Sequence, residues 1–218
     1  MADAGRDTLA GYARAGVWLL PAHALLLALG TITHEPDRTT AFDDYARYVT
    51  TDVFLVSHLV ASIVGAALGV IGTIAALGFL VRGPAAGLAA VGTALTAAGN
   101  VLSTAIFGAA AFAQPAIGRV HLRGSPEAPA IDADVYGAPL VLTAITGLLL
   151  LIAGAIAFGL AVARSGAGVR RAGIGYVVFL PLFAVSGFVF SPAQPIAAVA
   201  LAVAAAVIAR RLPATATA

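Results

Sequence analysis

Six long runs of apolar residues, separated by short polar segments, dominate this chain of 218 residues. Hydrophobic residues make up 61% of the sequence and charged residues 10%, against roughly 25% charged residues in a typical soluble domain. Such runs predict membrane-spanning helices, because a helix satisfies its own backbone hydrogen bonds in lipid. We therefore predict an all-α polytopic membrane protein, with six transmembrane helices in one bundle and one domain. The predicted spans are about 15–32, 53–81, 87–113, 138–163, 172–190 and 195–209.

Arginine residues are distributed unevenly between the segments that connect these spans. Eight lie on the side of the chain termini and four on the other side, and an excess of arginine marks the cytoplasmic side. We therefore predict a multi-pass protein of a bacterial plasma membrane with both termini in the cytoplasm. The alternative is a signal peptide cleaved near Gly30, which would leave five spans. The eight arginines on the predicted cytoplasmic side are Arg6, Arg14, Arg82, Arg164, Arg170, Arg171, Arg210 and Arg211.

The composition excludes several kinds of site. Cysteine is absent and the only methionine is Met1, so disulfides, thiolate metal sites, iron–sulfur clusters and thioether ligands are excluded. All 12 basic residues are arginine, which in a chain so rich in alanine and glycine indicates codon bias in a GC-rich genome. We therefore attribute the net charge of +2 to the arginines that mark membrane topology. We predict no nucleic-acid partner.

Motifs of soluble enzymes are missing from the sequence. It contains no G-x-x-x-x-G-K-[ST], no H-E-x-x-H and no G-x-S-x-G. Ser57 and His58 are adjacent, but neighbours on an α-helix point about 100° apart, so we do not expect them to form a nucleophile–base pair. The sequence therefore favours a protein that is not an enzyme.

Two segments on the predicted outer side are long enough to form structure of their own. In residues 33–52, Phe42, Tyr45 and Tyr48 recur every three residues, which places them along one side of a helix. We predict a short helix at the outer interface, with its aromatic rings among the lipid headgroups. Residues 118–136 contain two prolines and are predicted to be mostly irregular.

Small residues recur every four positions on the second and third spans. Such stripes allow close approach of membrane helices, either within one chain or in a homo-oligomer or with a membrane partner. A short turn joins the two spans, so we expect them to be antiparallel neighbours. The alternative for Asn100 is that it lines a polar cavity. The stripes are Ala61, Gly65, Gly69 and Thr73, and then Gly92, Thr96, Asn100, Thr104 and Gly108.

Two histidines lie within the apolar runs at similar predicted depth below the outer membrane face. His23 is seven residues before Gly30, near the outer end of the first span, and His58 follows Asp52 by six residues in the second. Ionisable residues inside a membrane are costly to place and commonly mark function. Gln114 and Tyr136 lie near the outer ends of other spans. We therefore predict a ligand site at His23, His58, Asn100, Gln114 and Tyr136.

Several functions are compatible with these histidines. Each imidazole can be neutral and bonded to a neighbouring helix, or the pair can hold haem b. A metal would need further ligands, and the candidates are His121, Asp134 and Glu35. Our leading prediction is a protein that binds or moves a small solute through an outward-facing polar pocket, without a cofactor. The alternatives are a haem or metal redox protein that uses His23 and His58, and a membrane scaffold or assembly subunit.

About half of the chain resembles a known group of sequences. The resemblance implies a multi-span integral membrane protein of the kind found in actinobacteria, in a family without an assigned activity, substrate or cofactor. The stretches that carry it are SHLVA at 57–61, GNVL at 99–102, AFAQPAIG at 111–118 and VYGAPL at 135–140.

Overall fold

The computed structural model describes residues 2–32, 35–166 and 168–215, and the elements in these residues are all helical. A first π segment (Ser57–Val64) joins α4 to α5, and a second π segment (Ala109–Ala113) joins α6 to α7. The predicted all-α class is confirmed. The α-helices are α1 (Ala2–Val17), α2 (Leu19–Gly30), α3 (Phe42–Val49), α4 (Asp52–Val56), α5 (Gly65–Leu80), α6 (Ala86–Gly108), α7 (Gln114–Leu122), α8 (Ala128–Val135), α9 (Ala138–Ser165), α10 (Arg170–Val189) and α11 (Ala193–Thr215).

Six helical stretches in the described residues are long and apolar enough to cross a membrane, and this number agrees with the prediction. Most of their ends lie within a few residues of the predicted ones. The exceptions are the start of the first span, which is earlier than predicted, and the end of the third span, which is later than predicted. The stretches are Thr8–Gly30, Asp52–Leu80, Ala86–Leu122, Ala138–Ser165, Arg170–Val189 and Ala193–Ala214.

The first span is interrupted at Trp18, between α1 and α2. Pro21 has no N–H to donate to the carbonyl of Val17, so it interrupts the hydrogen-bond ladder here. The N–H of Trp18 instead donates to the carbonyl of Ala15, at 3.1 Å, in a tighter turn. As a result, α2 begins as a separate helix that carries His23.

The third span continues well beyond its predicted end near Gln114 and Pro115. Pro115 lies in the first turn of α7, directly after the second π segment, and the helical stretch runs on to Leu122. A stretch of 37 residues is about 55 Å long, whereas the hydrocarbon core of a bilayer is about 30 Å thick. If the helix crosses a bilayer, α7 must therefore project beyond it.

The spans pack in chain order around a closed ring. α2 packs on α5, α5 on α6, α6 on α9, α9 on α10 and α10 on α11, which returns to α2. Short connections favour this order, because consecutive antiparallel helices then become neighbours. The largest buried side chains of the main core are Leu20, Phe158, Tyr176, Leu180, Leu201, Ile208 and Leu212.

Helices α6 and α9 approach each other through glycines spaced seven residues apart. A Cβ added to Gly99 would lie 2.5 Å from the backbone nitrogen of Leu151, and one added to Gly154 would lie 2.5 Å from that of Thr96. Gly92 and Gly147 face the opposite backbone in the same way. A separation of seven residues is close to two helical turns, so these glycines share one face.

The predicted small-residue stripes are used by different neighbours. Gly65 and Gly69 on α5 lie against α2, as their spacing predicts. On α6, Thr96 and Asn100 are buried, but a Cβ on Gly108 would meet nothing within 4 Å. On α6, the glycines that are seven residues apart therefore form the face that packs on α9. The predicted four-residue stripe coincides with this face over only part of its length.

Three short helices gather at one end of the bundle, which we call the cap end. α3 packs on α7, and α7 packs on α8. The predicted short helix exists as α3, but its predicted position among the headgroups is wrong for Tyr45. Tyr45 and Val49 are completely buried and pack against Phe54 within the protein.

The segment predicted to be irregular, residues 118–136, is instead mostly helical. It contains the end of α7 and all of α8. Pro129 lies in the first turn of α8, where a helix tolerates proline because the N–H there has no intrahelical acceptor. This helix brings Asp132 into the interior of the cap end.

Candidate functional site

His23 is buried between α2 and α5, with 3% of its surface exposed. Its Nδ1 lies 2.8 Å from the carbonyl oxygen of Gly65. Because a carbonyl can only accept, Nδ1 carries the hydrogen and Nε2 carries the lone pair. The ring lies on Gly69, whose added Cβ would be 3.0 Å from the ring carbon Cδ2. A Cβ at this position would therefore force the imidazole to shift by a few tenths of an ångström.

His58 is half-buried in the first π segment and bonds within its own helix. Its Nδ1 lies 3.0 Å from the carbonyl oxygen of Phe54, and its ring is 4.1 Å from the Phe54 ring. Ser57 Oγ lies 3.1 Å from the same nitrogen, so the two side chains meet although they are neighbours on the helix. Ser57 also donates to the carbonyl of Phe54, at 2.8 Å. Since Nδ1 donates to that carbonyl too, it is not a base for the serine.

The two imidazoles are held at separate places along one helix. Their acceptors, Gly65 and Phe54, are eleven residues apart, which is about 16 Å at about 1.5 Å per residue. The two imidazoles therefore bond at levels of this helix that are about three turns apart. Two imidazoles that share one haem iron need nitrogens about 4 Å apart, and this arrangement does not fit that requirement.

The other candidate ligands are also dispersed. His121 Nε2 bonds to Asp43, and Asp134 is exposed. No group of three or more His, Asp or Glu side chains suited to a metal occurs in the described residues. The four candidate metal ligands His23, His58, His121 and Asp134 are therefore not brought together.

The remaining predicted site residues differ in their surroundings. Asn100 Nδ2 donates to the carbonyl of Thr96 on its own helix, at 2.9 Å. Gln114 is 1% exposed, and its Oε1 has no hydrogen-bond partner among the described residues. Tyr136 is half-buried beside Arg38, and its ring lies 4.1 Å from the guanidinium carbon of that residue. These residues do not line one polar pocket.

A buried polar cluster at the cap end was not predicted from the sequence. We call Arg38, Tyr45, Asp132 and Tyr136 the cap cluster. Tyr45 donates its hydroxyl to Asp132 Oδ1 at 3.0 Å, and Arg38 Nη1 lies 3.4 Å from Asp132 Oδ2. The Asp132 side chain is 3% exposed and that of Arg38 is 34% exposed. The interactions of Asp132 thus connect Arg38, which precedes α3, and Tyr45, which lies in α3, to α8.

The electrostatics of the cap end are consistent with these donors and acceptors. Burial, together with the negative charge and hydrogen bond of Asp132, raises the pKa of Tyr45 well above its usual range. The phenol therefore keeps its proton and donates a hydrogen bond to the carboxylate. On the exposed side, the hydrogen bond from His121 lowers the pKa of Asp43.

The sequence did not distinguish the buried Asp132 from the exposed Asp134. Ala128 and Asp132 are four residues apart, on one face of α8, and both are buried. Asp134 lies on another face and is exposed. The apolar pattern of so short a helix does not reveal which face is buried, because the outward-facing Ile131 is more apolar than the inward-facing Asp132.

An apolar groove opens at the cap end, between the end of α2 and the helix formed by α4 and the first π segment. We call it the cap-end groove, and its volume is about 460 Å³. Its two polar lining residues are Asp52 and Ser57, and both belong to the α4 side. The apolar lining residues are Leu26, Leu29, Ile32, Val53, Val56, Val60 and Ala61.

Comparison with known proteins identifies no relative of this chain. No protein-family model, curated protein or solved structure matches this chain. The resemblance to actinobacterial membrane proteins therefore stays a prediction.

Proposed function

We propose that this protein binds an amphiphile from the outer leaflet of a bacterial plasma membrane, and that the cap-end groove is its binding site. The observation that carries the proposal is the groove, with about 460 Å³ of space and a wall that is apolar except for Asp52 and Ser57. Small-molecule sites typically have volumes of about 300–1,000 Å³, apolar walls and a few polar groups. An outward-opening site agrees with the predicted solute-binding function, but its wall is apolar instead of polar.

The two polar residues specify the head of the amphiphile. Asp52 is exposed in the first turn of α4, and none of the ion pairs between described residues involves it. A carboxylate at the rim attracts a cationic amine and repels an anionic phosphate that carries no amine. The occupant is therefore a lipid with a primary amine in its headgroup and a hydrocarbon chain that fills the groove.

The direction of the groove follows from the arginine distribution. Six arginines of the described residues 82–211 lie at the end opposite the cap end, which we call the arginine end: Arg82, Arg164, Arg170, Arg171, Arg210 and Arg211. The excess of arginine supports placing that end, and both chain termini, in the cytoplasm. The cap-end groove then opens toward the outer leaflet.

Reporter fusions test this topology. A reporter that follows Ala214, or one inserted after Arg164, is expected to be active only in the cytoplasm, and one inserted at Asp37 only outside. The reason is the cost of translocating the arginine-rich connections. A C-terminal reporter that is active outside would contradict the topology and the outward direction of the groove.

Filling the groove is expected to remove the bound lipid. Val60 lines the groove and is 41% exposed, so Val60→Trp places an indole in the groove without disturbing the core. Native mass spectrometry of the purified chain should show phosphatidylethanolamine bound to wild type and at least a tenfold loss in the variant. Val64→Trp is the matched control, because Val64 is 43% exposed on the same π segment and does not line the groove.

The amine is tested separately. Asp52→Asn should abolish the preference for phosphatidylethanolamine over phosphatidylglycerol at this site, while the fold is retained because Asp52 is exposed. Equal loss of binding in Val60→Trp and Val64→Trp would contradict the assignment of the groove. An unchanged headgroup preference in Asp52→Asn would contradict the assignment of the amine.

A further inference from the structure

A second pocket lies at the arginine end, between the start of α10 and the last turns of α11. Its volume is about 460 Å³. We call it the basic pocket. It is lined by Gly168, Arg170, Arg171, Ala172, Val207 and Arg211.

Three guanidinium groups give this pocket a concentrated positive charge. Arg170, Arg171 and Arg211 are exposed, and the ion pairs between described residues all lie at the cap end and involve none of them. Arg211 Nη1 donates to the carbonyl oxygen of Gly168 at 3.3 Å, which holds its guanidinium across the mouth of the pocket. The described residues supply no carboxylate partner to these side chains, so their remaining donors can bind an anion.

The backbone adds to the same charge. α10 is 20 residues long and begins at Arg170, and its N-cap residue, Val169, makes no side-chain capping bond. The first N–H groups of a helix have no intrahelical acceptor, and the helix dipole places positive charge there. Arg170, Arg171 and Ala172, the first three residues of α10, line the pocket, so helix terminus and guanidinium groups favour an anion at one place.

Apolar stripes lead from the pocket along both helices. On α10, Ile174 and Val178 follow Arg171 at spacings of three and four residues, and they are 46% and 49% exposed. On α11, Val203 precedes Arg211 by eight residues, on the same face as the pocket residue Val207, and is 62% exposed. An anion that carries hydrocarbon chains could place them along these stripes, whereas a free anion would leave the stripes uncovered.

We infer that the basic pocket binds the phosphate of an anionic phospholipid of the leaflet at the arginine end, with its acyl chains along α10 and α11. Basic pockets between transmembrane helices on the cytoplasmic side are suited to such headgroups, because arginine forms bidentate hydrogen bonds with phosphate. This inference is independent of the cap-end groove, since the two pockets share no residue.

Native mass spectrometry of the full chain in detergent with added lipid tests the inference. Wild type should bind phosphatidylglycerol in preference to phosphatidylcholine, and the double variant Arg171→Gln/Arg211→Gln should bind phosphatidylglycerol roughly 30-fold more weakly. The matched control is Arg82→Gln/Arg164→Gln, which removes the same charge from the same end outside the pocket. The control should retain wild-type binding.

Three results would overturn the inference. Equal binding of the two lipids by wild type is one, and it requires no variant. An equal loss in the control variant is the second, because it would reduce the effect to overall charge. Inorganic phosphate that displaces phosphatidylglycerol at equal concentration is the third, because the site would then recognise a free anion. Val60→Trp should leave phosphatidylglycerol binding unchanged, which separates this test from that of the cap-end groove.

Discussion

Alanine at Gly99 or at Gly154 is expected to destabilise the protein by about 3 kcal/mol or more, at or above the upper end of the usual cost of overpacking. The added Cβ would lie 2.5 Å from the backbone nitrogen of Leu151 in the first case and of Thr96 in the second. A side chain can rotate away from such a contact, but a backbone can yield only if α6 and α9 separate. Thermal unfolding of the purified variants in detergent measures the effect.

Gly108→Ala is the matched control for this prediction. Gly108 is on the same helix as Gly99, and a Cβ there would meet nothing within 4 Å. The control should unfold at the wild-type temperature or slightly above it, since alanine favours a helix more than glycine does. Equal stability of Gly99→Ala and Gly108→Ala would show that α6 and α9 do not pack closely at this point.

Removal of the carboxylate of Asp132 is expected to have the second large effect. Asp132→Ala leaves Tyr45 and Arg38 without the acceptor that they share. Loss of one partner of a buried ion pair costs about 3–5 kcal/mol, and we expect about 3 kcal/mol because the Arg38 side chain is one-third exposed and partly screened by solvent. Chemical denaturation of the variant in detergent measures this cost.

Two further variants identify the cause of that effect. Asp134→Asn removes a carboxylate from the same helix at an exposed position and should leave stability unchanged. Arg38→Met combined with Asp132→Leu removes both charges and should recover part of the loss, because neither charge of this ion pair is then left without the other. A double variant that is less stable than Asp132→Ala would show that burial of the charge is not the source of the penalty.

The number of spans, their approximate positions and the all-α class could be predicted from the sequence because they depend on local hydropathy. An apolar run of about 20 residues must become a helix in lipid, whatever its neighbours are. The packing of Gly65 and Gly69 against another helix was also predictable, because a face without side chains permits close approach. Both hydropathy and the spacing of glycines can be seen in the sequence without knowledge of how each helix is rotated.

The surroundings of the polar residues depended on helix rotation and register, which only the tertiary structure decides. His23 and His58 have similar predicted depths, yet one bonds across to α5 and the other to its own helix. Asp132 is buried and Asp134 exposed because two residues turn the chain by about 200° around the helix axis.

The neighbours of each helix were likewise fixed by tertiary packing. Connection length makes α5 and α6 neighbours, but it does not reveal that α6 approaches α9 through Gly99 and Gly154. The two pockets also depend on tertiary packing, because each lies between two consecutive spans whose facing side chains are decided by helix rotation. Hydropathy therefore determined that the chain forms membrane-spanning helices, whereas the contacts between these helices decided the surroundings of its few polar side chains.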